Sequence, residues 1–225
     1  MNSHAEIKVA LIVDSPELSE HDQDLVKWSK SHVGVAITHL IVQRLPEPVL
    51  SNSRLVRQWD VIRKSGLKGY LEGRLWRLIR SKENKILDHA RNQGKPISNE
   101  TEKVKCDIIE ARPNISKSGH VYRYQDSDIE KIRAENFDVL IRCGSGILRG
   151  QILKVARFGI ISFHHADNRI NRGIPPCFWE VYYKQPKTGF IIQQLTDELD
   201  GGNVLKRGAF PTKPYWLLNL DSVYE

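Results

Sequence analysis

Four short apolar runs, each bounded by turn-forming or charged residues, constrain the fold of this chain more than any other feature. They are KVALIVD (8–14), VAITHLIVQ (35–43), FDVLIRC (137–143) and GIISFH (159–164). Runs of this length, apolar nearly throughout and rich in β-branched residues, suit strands buried on both faces. Between the first two lies SEHDQDLVKWSKSH, which reads as a helix capped by Ser19 with acidic residues in its first turn. Ahead of the third, SDIEKIRAENF reads as a helix opening on a serine cap. Strand, helix and strand in this order point to an α/β protein with a parallel sheet.

The rest of the chain fits around that frame. From Arg54 to about Asn92 the texture is helical, with Leu71, Leu75, Leu78 and Ile79 at helical spacing and Arg74, Arg77 and Arg80 between them. Gly66, Gly69 and Gly73 argue for at least two helices here, followed by a loop at NQGKPIS. VKCDIIEA and NVLKRGAF read as strands, TGFIIQQLTDELDGG as a strand running into a turn, and ILKVARFG, CFWEVYYKQ and PYWLLNLDSVYE as helical or helix-starting. The expected organisation is one domain over residues 1–225 with a basic helical insertion at about 51–100. Any further carboxy-terminal domain would lie outside this chain.

With 225 residues, 40% hydrophobic and 27% charged, the composition is that of a soluble globular protein with a substantial core. The amino terminus lacks the basic start and long apolar stretch of a signal peptide, and no run is long enough to span a bilayer, so a cytoplasmic protein is expected. Cys106, Cys143 and Cys177 are odd in number and widely spaced. They form no CxxC or zinc-like pattern, and no metal site is expected. The net charge of +7 is concentrated between Arg54 and Lys105, where 14 basic residues face 6 acidic ones. Such a region suits an anionic partner such as a phosphate, a nucleotide or RNA, and equally suits a solvated helix face.

Three loops carry residues able to do chemistry. In open parallel sheets, ligands bind beyond the carboxyl ends of the strands. CGSGILRG follows one strand and HHADN the next. Neighbouring residues of a strand face opposite ways, so His164 and His165 cannot share one task. The third loop, TDELDGG, packs three carboxylates into four residues, and its Asp200 lies 36 positions after His164. Alone it reads as a solvated turn; beside a histidine, a carboxylate can orient and charge the imidazole for proton transfer. The first strand ends in Val13-Asp14-Ser15-Pro16, with no glycine-rich phosphate loop.

SFHHADNRINRGIPP followed by CFWEVYYKQPKTGFIIQQLTDELDGGNVL resembles the core of the folate-dependent formyltransferases. That family includes glycinamide ribonucleotide, methionyl-tRNA and sugar-nucleotide N-formyltransferases. The resemblance covers about Asp138 to Phe210 and rests on a strand-end histidine, a glycine-containing turn and a Leu-Asp-x-Gly loop. It implies a Rossmann-like, open, twisted, mostly parallel sheet with flanking helices. It also implies formyl transfer from 10-formyltetrahydrofolate to a primary amine through a tetrahedral intermediate. By position, His164 and Asp200 take the catalytic places. Ser145, Gly146, Ile147 and Leu148 would form one wall of the folate site, and Asp197, Glu198, Leu199 and Gly201 the other. His165, Asn168 and Arg172 are candidates for contact with the amine substrate, which can be small, nucleotide-linked or otherwise phosphorylated. A tRNA acceptor is disfavoured, because the tRNA enzymes are longer and carry an RNA-binding domain.

At one catalytic place the chain departs from the family: Ser162 stands where asparagine is usual. An asparagine amide is a fixed donor of two protons, whereas a hydroxyl has one proton on a rotor. Removing an oxyanion donor can lower a rate by roughly 100- to 1,000-fold. Either Ser162 donates with help from water, or Asn168 substitutes, or catalysis is weakened. A formyltetrahydrofolate hydrolase and a catalytically weakened folate- or RNA-binding relative are therefore the alternatives to a transferase.

Overall fold

The computed structural model describes residues 6–46, 54–91, 105–170, 175–198 and 201–223, with side chains over 66–88 of its long helix. In chain order the elements are β1 (Ile7–Val13), α1 (Glu20–Ser31), β2 (Val35–Gln43), α2 (Arg54–Arg91), β3 (Asp107–Ala111), β4 (Asn114–Ile115) and β5 (Val121–Arg123). There follow α3 (Asp126–Ala134), β6 (Val139–Arg142), β7 (Ile147–Leu148), a 3-10 turn (Gly150–Lys154) and β8 (Ile160–His164). The chain continues through α4 (Phe178–Tyr182), β9 (Lys187–Gln194), β10 (Asn203–Pro211) and α5 (Trp216–Asp221).

Seven strands form one sheet in the order β10-β9-β8-β6-β1-β2-β3. The pairings β1–β2, β1–β6, β2–β3 and β6–β8 are parallel, while β8–β9 and β9–β10 are antiparallel. The sheet is thus mostly parallel, with an antiparallel flank. From β1 the chain builds outward to β2 and β3, then returns to the other side of β1 for β6 and β8. That reversal opens a crevice at the carboxyl ends of β1 and β6, where open α/β sheets bind ligands. A second sheet, β4-β5-β7, sits beside this crevice; its strands of two or three residues carry no apolar run that would mark them in the sequence.

Both faces of the main sheet are covered, which explains the unbroken apolar runs. Ala10 and Ile12 of β1 face one layer with Ile41, Leu140, Ile160 and, from α3, Ile129 and Ile132. Val9, Leu11 and Val13 alternate to the other face and meet Val26 of α1. Helix α1 begins as expected, with the Ser19 hydroxyl accepting from the Asp22 amide. Helix α3 differs: it starts at Asp126, with Gln125 at its cap and no side-chain cap bond, so no serine cap is formed. The segment read as helix at ILKVARFG makes only the 3-10 turn. CFWEVYYKQ yields a five-residue helix preceded by Cys177 in a left-handed conformation.

Helix α2 runs from Arg54 to Arg91 with one break at Gly66, whose φ of 72° leaves the helical region. Gly69 and Gly73 lie inside the helical run. Trp76, Ile79 and Leu87 pack against Phe178, Trp216 and Leu217, whereas Leu71, Leu75 and Leu78 are exposed. The packed stripe of α2 is therefore Trp76, Ile79 and Leu87 and not Leu71, Leu75 and Leu78. Glu83 fixes α2 to α5, its carboxylate accepting from the amides of Trp216 and Leu217 at 3.1 and 2.8 Å. The NQGKPIS loop lies outside the described residues. Among the described residues, no helix is long and apolar enough to cross a membrane.

Candidate active site

Strand β8 ends at His164, and the residues leaving it decide the site. Ser162 and His164 line a cleft of about 210 Å³, together with Arg142 of β6, Gly146, Ile147, Leu148 and Arg149. The opposite side is formed by Gln193, Leu195, Thr196, Glu198 and Gly202. His165 is not among the lining residues. Its ring stands edge-on to Phe163, with centroids 5.2 Å apart. Burial, with the neighbouring His164 and Arg142, pushes its pKa down to about 4.

The loop after β6 is held by a polar network that runs from the buried Gln43 out to the exposed Asp14 and Ser145. The Asp14 carboxylate, at the end of β1, accepts from the Ser145 amide at 2.9 Å and from Gln43 Nε2 at 2.9 Å. Gln43, 1% exposed, accepts in turn from the Tyr124 hydroxyl at 3.0 Å. Ser145 is thus bound to the β1 end and does not line the cleft. Gly146 has a φ of 81°, and a Cβ there would meet the Tyr122 ring at 2.4 Å, so only glycine fits. Its carbonyl turns onto Arg142, accepting from Nε at 3.0 Å and Nη2 at 2.6 Å.

Beyond Gly146, the Ile147 and Arg149 amides donate to the carbonyls of His120 and Tyr122. Strand alternation turns the Leu148 amide and carbonyl to the opposite edge.

The acidic loop faces this wall. Asp197 Oδ1 accepts from the Gly150 amide at 3.4 Å, tying the loop to the segment after β7. The Thr196 hydroxyl donates to the Gly201 carbonyl at 3.2 Å and closes the loop at its base. Glu198 and Gly202 line the cleft. Leu199 and Asp200 themselves, like Arg172 in the NRGIPP turn, lie outside the described residues. Gly201 approaches Glu198 closely, since a Cβ there would meet the Glu198 side chain at 2.6 Å.

Asn168 is turned elsewhere. Its carboxamide oxygen accepts from Arg207 Nη1 at 2.9 Å, and it is not among the cleft residues. It does not stand in for the missing asparagine of the strand end. Asp167 beside it is held by Arg169 and Arg207, and its pKa is pushed down to about 2, chiefly by the hydrogen bonds from Arg169. Among the described residues, no group of three His, Cys, Asp or Glu side chains is arranged to hold a metal ion.

One residue was missed by the sequence reading altogether. Arg142 ends the apolar run FDVLIR and sits opposite Ser162 in the sheet, with its charge drawn into the cleft. The signal was there: a cation closing an otherwise apolar buried strand needs an acceptor.

No protein-family model matches the chain. Over 87 residues, 38% of its length, it is 31% identical to the methionyl-tRNA formyltransferase of Deinococcus radiodurans. Over 105 residues, 46% of its length, it is 29% identical to the methionyl-tRNA formyltransferase of Ehrlichia canis. Among solved structures it is similar to glycinamide ribonucleotide transformylase 1 of Symbiobacterium toebii, with a TM-score of 0.56 and 13% identity over 99% of this chain and 84% of that one. It is also similar to the formyltetrahydrofolate deformylase of Pseudomonas syringae pv. tomato, with a TM-score of 0.53 and 12% identity over 99% of this chain and 57% of that one. These likenesses support a formyltransferase-family protein, and the solved structures share its fold.

The chain has the expected Rossmann-like α/β fold. The matched segments span only 27% and 35% of the two curated relatives. Structures named as a transformylase and as a deformylase both share this fold.

Proposed function

We propose that the chain transfers a formyl group from 10-formyltetrahydrofolate to a primary amine of a small molecule. The observation that carries this reading is the shared cleft. His164 opens into the same space as the backbone wall at 146–148 and as Glu198 and Gly202, the neighbours of Asp200. The relatives that carry formyltransferase names support it.

The cleft volume of about 210 Å³ suits the head of a folate more than the whole molecule. Gly146, Ile147 and Leu148 would hold it on one side, Glu198 and the loop closed by Thr196 on the other. Bound there, the folate supplies the formyl carbon. His164 receives or stabilises charge near that carbon, and Asp200 orients the imidazole and takes up the amine's proton. Aromatic and apolar neighbours such as Phe163 and Leu195 keep bulk water from the reacting centre.

The acceptor can be narrowed. Asp14 occupies the end of β1 with a carboxylate, and its acceptor oxygens are engaged by Ser145 and Gln43. That strand end repels a phosphate instead of cradling one, so an acceptor phosphate would have to be met elsewhere. An amino sugar or another neutral-bodied amine fits this surface.

The test is an acceptor screen with purified protein, 10-formyltetrahydrofolate and a panel of amino sugars, amino acids and charged tRNA. Tetrahydrofolate release that requires an amine, and disappears in both His164→Ala and Asp200→Ala, is the expected result. Formate release without any amine would identify a hydrolase. Full turnover in both variants would refute the site.

A further inference from the structure

Arg142 and Ser162 are paired residues on the adjacent parallel strands β6 and β8. Arg142 Nη1 reaches Ser162 Oγ at 3.5 Å. The Ser162 hydroxyl is already engaged, since Oγ donates to the Phe163 carbonyl at 3.2 Å. A hydroxyl has one proton, so Ser162 in this arrangement accepts from Arg142 and has nothing left to donate into the cleft. It is also 2% exposed, which leaves little room for a water to act on its behalf.

The guanidinium is the opposite case. It has five N–H groups, and Gly146 and Ser162 engage about three of them. Among the described residues nothing engages the remainder, and they can meet an acceptor in the cleft that Arg142 lines with His164. The double grip of the Gly146 carbonyl fixes the plane of the group. No ion pair joins Arg142 to a carboxylate among the described residues. A cation withdrawn from water without a paired counter-ion favours negative charge placed beside it. Burial lowers the pKa of Arg142, while Asp14 is the largest influence in the other direction.

We propose that Arg142 is a catalytic residue, and that its guanidinium stabilises negative charge on the formyl oxygen in the place left open by Ser162. This rests on the formyl-transfer reading above. While the amine lone pair forms the new C–N bond, Arg142 donates to the formyl oxygen, onto which the carbonyl π pair is displaced. That pair re-forms the carbonyl as the bond from carbon to the folate N10 breaks. The bonding electrons leave on N10, which gains one proton as the amine loses one. Arg142 itself stays protonated throughout. Its contribution grows as the oxygen becomes negative, so it acts on kcat more than on binding.

Two stable folate analogues provide a readout besides turnover: 10-formyl-5,8-dideazafolate and 5,8-dideazafolate, titrated calorimetrically. The wild-type chain is expected to bind the formylated analogue several-fold more tightly. Arg142→Met and Arg142→Lys are expected to keep the affinity for the unformylated analogue within about twofold. Arg142→Met loses the preference, and Arg142→Lys retains part of it. In turnover, Arg142→Ala is expected to lose roughly 100-fold in kcat, and added guanidinium at millimolar concentration restores part of the rate while sodium does not. Unchanged preference and kcat in Arg142→Met would overturn the proposal. So would equal weakening toward both analogues with no guanidinium rescue, since that marks a purely structural arginine. If the wild-type chain binds neither analogue and turns over no formyl donor, the formyl-transfer reading itself falls, and this inference with it.

Discussion

Arg207 of β10 donates from one nitrogen, Nη1, to both Asp167 Oδ1 and Asn168 Oδ1, at 2.9 Å each. The segment leaving β8 just after His164 and His165 is thereby fixed to the antiparallel edge of the sheet. Arg207→Met leaves the Asp167 carboxylate, 8% exposed, with Arg169 alone. A loss of about 1–3 kcal/mol is expected, seen as a lower Tm. Asp167 has a depressed pKa, so its contribution is present above the ordinary carboxylate range and is lost as pH falls through about 2. The difference in Tm between wild type and Arg207→Met should therefore persist at pH 5 and shrink only at strong acidity.

His165 titrates in a separate window. Its folded pKa of about 4 lies below the ordinary value of 6.5, so the fold favours the neutral ring. Stability is full above pH 6.5 and declines as pH falls toward 4, because the unfolded chain takes up the proton first. The decline attributable to this group is at most about 3 kcal/mol. His165→Gln should flatten Tm between pH 6.5 and 4. A variant with the same acid slope as wild type would show that another group is responsible.

The strands were legible because burial on both faces demands apolar residues at every position, and β2 spans Val35–Gln43, the segment read from sequence. The separation of His164 from His165 followed from strand alternation alone. What escaped the sequence depends on contacts between distant segments. The β4-β5-β7 sheet is built from strands of two or three residues, too short to show a period. Helix α2 follows the helical spacing of Leu71, Leu75, Leu78 and Ile79, but spacing does not show which residues pack: Ile79 joins Trp76 and Leu87 against α5, while the three leucines stay exposed. Asn168 looked available to replace an asparagine six residues earlier, but Arg207, 39 residues downstream, holds it.

Glu83 acts at a distance from the cleft. Its carboxylate meets the first two amides of α5, the place where a helix has unpaired donors and a positive dipole end. Glu83→Ala should lower stability by about 0.5–2 kcal/mol and loosen the Trp76–Phe178–Trp216 cluster. Tryptophan fluorescence together with thermal melting would register both. The ratio of affinities for the two folate analogues should be unchanged, since no described side chain of α2 or α5 lines the cleft.

Gly146→Ala places a methyl group against the Tyr122 ring and forces a non-glycine residue to a φ of 81°. A cost of about 1–3 kcal/mol is expected. The substitution also displaces the carbonyl that orients Arg142, so kcat should fall beyond what the loss of stability explains. Measurement well below the Tm of the variant separates the two effects.

Ser162→Asn would introduce the residue usual at this position in the formyltransferases that the chain resembles, and the naive expectation is a faster enzyme. The packing argues otherwise. Ser162 is 2% exposed, with Arg142 on one side and the Phe163 carbonyl on the other. A larger carboxamide must push the guanidinium aside, and overpacking of this kind costs about 1–3 kcal/mol. With Arg142 present, Ser162→Asn should lower Tm and leave kcat unchanged or reduced. In Arg142→Ala the space is open, and adding Ser162→Asn should recover part of the lost rate. This reversal of sign between the two backgrounds is a coupling that a double-mutant cycle reads directly. If Ser162→Asn instead raises kcat in the wild-type background, the serine limits the enzyme and Arg142 does not compensate for it.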